Sequence, residues 1–165
     1  MTLIDALRIE FEHEAETTRR HLERLPADKL EWRPHAKSST ARSLARHLVD
    51  CVAWADQIVS RDELDVDPAT MSTCQADSVD ELLKAFDDKV AAGQRALAGI
   101  ANGDMMRPWR FKILGRVRFE RPRLMVFRDF TLSHLIHHRG QLTVYLRLLS
   151  VPVPGSYGPT ADDQF

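Results

Sequence analysis

The apolar positions of this chain fall into four long stripes with helical spacing. Leu3, Leu7, Phe11, Ala15, Thr18 and Leu22 recur every three or four positions with charges between them, which predicts an amphipathic helix over residues 3–24, closed at Leu25-Pro26. Leu44, Leu48, Cys51, Ala55 and Ile58 predict a second helix over residues 41–60, with Ser39 or Thr40 as its cap. Leu82, Phe86, Val90, Gly93, Leu97 and Ile100 predict a third, opened by a Ser78/Glu81 capping box and stopped at Asn102-Gly103. Leu124, Phe127, Leu142, Tyr145 and Leu149 share one face of a fourth, over residues 123–149.

The segments between these stripes are long. LPADKLEWRPHAKSST carries Pro26 and Pro34 among small polar residues, and DELDVDPATMSTCQA is acidic and aperiodic, so both read as loops, of roughly the 15 residues at which connections begin to carry a job of their own. Between residues 107 and 122 the period changes. Trp109, Phe111 and Ile113 alternate, Leu114-Gly115 allows a turn, and Val117 and Phe119 alternate again, which predicts a small β-hairpin that must pack on the helices to persist. The tail VPVPGSYGPTADDQF is too rich in Pro and Gly to be helical throughout. The expected architecture is therefore all-α: one domain over residues 1–165, a four-helix bundle with long crossover loops and a small hairpin before the last helix.

Composition narrows the function classes. A chain of 165 residues, 44% hydrophobic and 28% charged, can bury a core without metal or disulfide support. Its net charge of -1 lacks the basic footprint of a nucleic-acid binder. No stretch approaches the 18 or so apolar residues of a membrane span, and the acidic, amphipathic start MTLIDALRIEFEHEAE lacks the features of a signal peptide. Two cysteines, Cys51 and Cys74, make no disulfide framework and suit a reducing compartment, so a cytoplasmic protein is expected.

The candidate chemistry lies in TLSHLIHHRGQLTVYLR. His134 and His138 stand four residues apart, about 40° around a helix and about 6 Å along it, so both imidazoles leave one face, and that face is otherwise apolar. Two imidazoles rarely complete a divalent-cation site, and catalytic zinc usually takes three protein ligands with a position left open. His47, bordering the buried stripe of the second helix, is the best candidate for the third. Spacing alone is equally consistent with three unrelated histidines.

Several neighbours stay open. His137 lies about 100° around the helix from His138, at the edge of the inward face, which suits the mouth of a pocket better than the ion itself. Cys51, four after His47, can reach the site as a fourth ligand, although a free cysteine is more often a small buried hydrophobe. Asp50 is placed either to accept an imidazole N–H or to face solvent. Arg139 is expected to be solvated or paired with an acid of a neighbouring helix, and Tyr157 to fold back over the pocket or to pack.

Three stretches together carry a family resemblance that runs nearly end to end: LPADKLEWRPHAKSSTARSLARHLVD (residues 25–50), HLIHHRGQLTVYLR (134–147) and VPVPGSYGPTADD (151–163). The chain resembles the DinB/YfiT-like superfamily of metal-dependent four-helix-bundle proteins. The resemblance implies one divalent metal, zinc or nickel foremost, held by His47, His134 and His138, and a homodimer. It also implies a small-molecule substrate, with either hydrolysis or transfer to a low-molecular-weight thiol as the reaction. A cation with an open position lowers the pKa of a bound water or thiol, so the donors alone do not separate the two reactions. The rival from another class is a non-catalytic helical module whose metal or cavity binds a ligand or steadies a dimer.

Overall fold

Helix α1 (Leu3–Leu22) starts where Thr2 accepts the Asp5 N–H while Asp5 accepts the N–H of Thr2, so two of the unpaired amides at the helix start are satisfied reciprocally. The computed structural model describes residues 1–71 and 73–164. A 3-10 turn at Ala27–Lys29 leads to α2 (Ala41–Val59), capped by Thr40, whose hydroxyl accepts the Ser43 N–H. Helix α3 (Val79–Gly99) is capped by Ser78 through the Glu81 N–H. The expected reciprocal bond is different: the Glu81 carboxylate reaches one residue further back and accepts the N–H of Asp77 at 2.7 Å.

The chain is mostly helical but not all-α. Strand β1 (Glu63–Val66), inside the acidic stretch expected to be loop, pairs in parallel with β2 (Pro108–Ile113), and β2 pairs antiparallel with β3 (Arg116–Pro122). The predicted hairpin is therefore two strands of a three-stranded sheet. Its two-residue turn has φ of 49° at Leu114 and 75° at Gly115, the left-handed pair that matches strand twist. The signal for β1 lies in its partner. Glu63 stands opposite Arg110, Asp65 opposite Lys112, and the Lys112 ammonium sits 2.6 Å from Glu63, so an acidic strand is selected by a basic one far along the chain.

The last helix is interrupted. Helix α4 (Arg123–Phe127) runs into a π-helical turn (Arg128–Ser133) and then α5 (His134–Leu148). In an unbroken α-helix, Phe127 shares a face with positions seven and eleven residues on, which are His134 and His138. A π turn absorbs about one extra residue. The buried line after Phe127 accordingly passes through Leu132, Leu135, Arg139, Leu142 and Leu146, while His134 and His138 are half-buried at its border. The histidines are thus offset from the core face, not centred on it as the continuous helix implied.

The core lies where α1, α2, α3 and α5 meet, around Phe11, Leu48, Val52, Ala55, Phe86, Phe127 and Leu135. Gly93 permits the closest approach: a Cβ there would stand 2.8 Å from the Ala55 Cβ and 3.0 Å from two carbons of the Phe11 ring. No described helix is long and apolar enough to cross a membrane.

Two outcomes follow from this packing. Gly93→Ala is expected to destabilise the fold by about 1–3 kcal/mol despite the better helix propensity of alanine, because the overpacked contact is with a rigid ring and with the Cβ of Ala55, fixed to its helix, as denaturant melts would report. Deletion of the exposed Asp129 is expected to convert the π turn to α-helix and to keep Leu135 and Arg139 inward. Its ion pair with Arg121, at 3.2 Å, is exposed at both ends and contributes little. A crystal structure in which α5 has rotated would contradict that expectation.

Candidate metal centre

Helices α2 and α5 face each other, and the rings of His47, His134 and His138 lie side by side between them. The Nε2 atoms of His47 and His134 are 3.1 Å apart. The rings of His47 and His134 have centroids 4.9 Å apart, those of His47 and His138 4.4 Å, and those of His134 and His138 4.7 Å. Two imidazole nitrogens bound to one tetrahedral zinc at about 2.0–2.1 Å stand about 3.3 Å from each other, so the His47 and His134 pair is already near that separation. Without an ion, one of these nitrogens must carry a proton and donate to the other. A divalent cation can replace that proton.

The donor atoms of His47, Cys51 and His134 all lie within 4.8 Å of one another, so these three can hold a metal ion. Cys51, one turn after His47 on α2, is fully buried. Burial and the neighbouring Asp50 carboxylate push its thiol up to about 12. His138, expected as the third ligand, is not part of that group, although its ring lies beside those of His47 and His134. Its Nδ1 donates to Gln141 Oε1 at 2.7 Å, which places the ring proton on Nδ1 and leaves the Nε2 lone pair available. Gln141 was not foreseen, although a residue three positions after a helical histidine is a neighbour on the helix surface and could have been read from the sequence.

Both rings of the closest pair are held neutral. Burial lowers the pKa of His47 to about 4, reinforced by His138 and His134. Burial also lowers that of His134, against the pull of a hydrogen bond to the Phe130 carbonyl. Neutral imidazole is the ligand form, so the fold holds these side chains ready for a cation at neutral pH.

A cavity of about 850 Å³ opens at this point, and His47 and His138 are part of its wall. The rest of the wall is mixed, with Ser38, Ser39, Thr73 and Gln141 on the polar side and Leu44, Val144 and Tyr145 on the apolar side. Arg42 and Arg46 reach the loop before α3, where both bind Asp77 Oδ1, at 2.7 and 2.6 Å. Asp50 lines the cavity too. It accepts the Cys74 N–H at 2.8 Å instead of an imidazole, and burial raises its carboxyl pKa above the ordinary value. His137 is exposed with its ring 4.8 Å from that of His138, in keeping with a place at the rim.

Arg139, next in sequence to His138, is 2% exposed and binds Glu14 of α1 at 2.6 Å. This is the paired alternative of the sequence reading, but in the core. Tyr157 folds back onto that ion pair and not over the cavity: its hydroxyl donates to Glu14 Oε1 at 2.8 Å and accepts from Arg139 Nη2 at 2.6 Å. His21 is a core histidine, fully buried, with Nδ1 donating to the Thr17 carbonyl at 2.8 Å.

Comparison with known proteins bears on the family and the fold. The profile of the DinB family matches residues 6–164. A DinB-like protein of known structure from Bacillus cereus ATCC 10987 superposes with a TM-score of 0.71 at 22% identity, over 88% of this chain and 92% of its own. YjoA, a DinB-like protein from Bacillus subtilis, superposes with a TM-score of 0.68 at 17% identity, over 97% of this chain and 99% of its own. At those identities the likeness concerns the fold. Among curated sequences, the uncharacterized protein YrdA of Bacillus subtilis (strain 168) is 47% identical over 34 residues, which is 21% of this chain and 20% of YrdA.

The depressed pKa values give a pH dependence with a definite sign. A histidine whose folded pKa lies below its unfolded value near 6.5 stabilises the fold above that value, and the contribution is lost as the pH falls towards the folded pKa. The metal-free protein is therefore expected to lose stability between about pH 6.5 and about 4, and a His47→Gln variant to lose less over the same window, in urea melts of the chelated protein.

Proposed function

Because this chain belongs to the DinB family, we propose that it is a metal-dependent enzyme acting on a small polar molecule, with His47, His134 and His138 as the ligands of one divalent cation. The observation that carries this reading is the convergence of two helices' imidazoles at the wall of an open cavity with both polar and apolar lining. His138 is the preferred third ligand. It faces the cavity and binds without releasing a proton, whereas the Cys51 thiol would have to lose a proton held up to about 12. Cys51 then backs the centre, within reach as a fourth donor.

When bound, the cation supplies Lewis acidity that lowers the pKa of a water or thiol at the open position. The protein's own groups do the remainder. Gln141 sets the tautomer of His138, and the buried His47 and His134 keep their lone pairs unprotonated. Asp50, held by the Cys74 amide, raised by burial and in the wall of the same cavity, is the carboxylate we assign to take a proton from the nucleophile. The hydroxyl- and amide-lined cavity suits a hydrogen-bonding substrate, including a low-molecular-weight thiol. Imidazole donors suit zinc, nickel, iron and copper, and of these zinc and nickel are our leading candidates.

Metal analysis of the purified protein is the first test: about one equivalent is expected, with a large loss in His134→Ala. A screen of ester and thiol-transfer substrates is expected to find turnover that vanishes on chelation and returns with added metal. Asp50→Asn is expected to lower kcat about 100-fold or more while metal occupancy is kept. If chelation lowers the melting temperature in a protein that turns over nothing in either class, the metal is a structural part of a binding module.

A further inference from the structure

A second cleft, of about 410 Å³, lies where α2 ends, α3 ends and the last helical run begins. Val59 in its wall is twelve residues beyond His47, about 18 Å along α2, so it is separate from the metal centre and nothing in the preceding reading depends on it. Its charged lining consists of Arg61, Arg95, Arg107 and Arg123 with Asp62 and Asp104. We propose that this cleft binds a phosphate-type oxyanion, such as the phosphate of a small organic ester.

The charges decide the sign of the ligand. Both acids are already engaged: Asp62 stands 2.5 Å from Arg123 and 3.6 Å from Arg107, and Asp104 stands 3.5 Å from Arg107. Arg61 and Arg95 are exposed, and neither makes an ion pair among the described residues. Four guanidiniums against two carboxylates leave two positive charges. The C-terminal ends of α2 and α3 each bring about half a negative charge to this corner, so roughly one positive charge remains in excess. The arginines therefore outnumber what two helix ends and two acids require.

The floor is built and rigid. The Arg123 side chain is 4% exposed, with Nη1 donating to the Asp104 carbonyl at 2.9 Å, Nη2 to the Arg61 carbonyl at 3.0 Å, and Nε without a partner. It ties together the two segments that carry Asp62 and Asp104. The two uncommitted guanidiniums, Arg61 and Arg95, line the same cleft, and their planar forks match the oxygens of a phosphate. The volume exceeds what a bare ion needs and falls within the range of small-molecule sites.

Titration calorimetry with inorganic phosphate, against chloride at matched ionic strength and against acetate, tests this in three proteins: the parent, Arg61→Ala/Arg95→Ala, and His134→Ala. Saturable phosphate binding is expected in the parent, weakened at least about tenfold in the double variant and retained in His134→Ala. Both replaced arginines are exposed, so the melting temperature without phosphate is expected to be unchanged. The proposal is overturned if phosphate adds nothing beyond matched chloride or if the double variant binds equally well. Tighter binding of acetate than of phosphate overturns the ligand class. Loss in His134→Ala would move the anion to the metal centre and end the proposal as well.

Discussion

The ion pair between Glu14 and Arg139 constrains more of this molecule than its two residues suggest. Both side chains are nearly fully buried, and the charges are offset by each other and by Thr18 and Tyr157. Removing one partner of such a pair leaves an uncompensated charge in the core, which typically costs about 3–5 kcal/mol, so the rotation of α5 about its axis is effectively locked. His138 precedes Arg139 and therefore points about 100° away from α1. That direction is toward α2 and His47. The tail is bound into the same constraint through Tyr157, which joins the C-terminal segment to both helices.

The π turn completes the setting. A continuous α-helix would put His134 and His138 on the face of Phe127 and force two imidazoles into the closest-packed part of the core. One extra residue in the turn gives that face to Leu135, Leu142 and Leu146 and leaves the histidines at the boundary between core and cavity. There burial keeps His134 neutral, and His138 stands in the cavity wall, open to a ligand. A metal centre that also meets substrate needs both conditions.

The cavity wall is held by charge in a different way. Asp77, at the end of the loop before α3, takes Arg42 and Arg46 from α2, and Asp50 takes the amide of Cys74 in the same loop. The loop is thereby fastened along one side of α2, and this gives the polar wall its shape. These contacts cover groups that belong to the site or lie beside it, so chemistry and architecture use the same helix. The arginine cleft at the far end of α2 is assembled on the same plan, with one buried guanidinium bridging two segments.

The first three helices with their limits to within about two residues, the outer limits of the last helical run, and the histidines worth watching were legible in the chain, because periodicity, capping residues and i,i+4 spacing are local properties. The convergence of His47 on His134 and His138 was suggested by two inward stripes and a family resemblance. What the sequence did not display was set by partners distant along the chain. Glu63–Val66 is a strand because Arg110 and Lys112 lie beside it, and four residues of which two are acidic carry no such signal alone. Arg139 is buried because Glu14 faces it across 125 positions, and Tyr157 covers that pair because the tail returns to α1. The π turn has no period of its own, since a single extra residue becomes visible only when the helices on both sides of it must bury one continuous face.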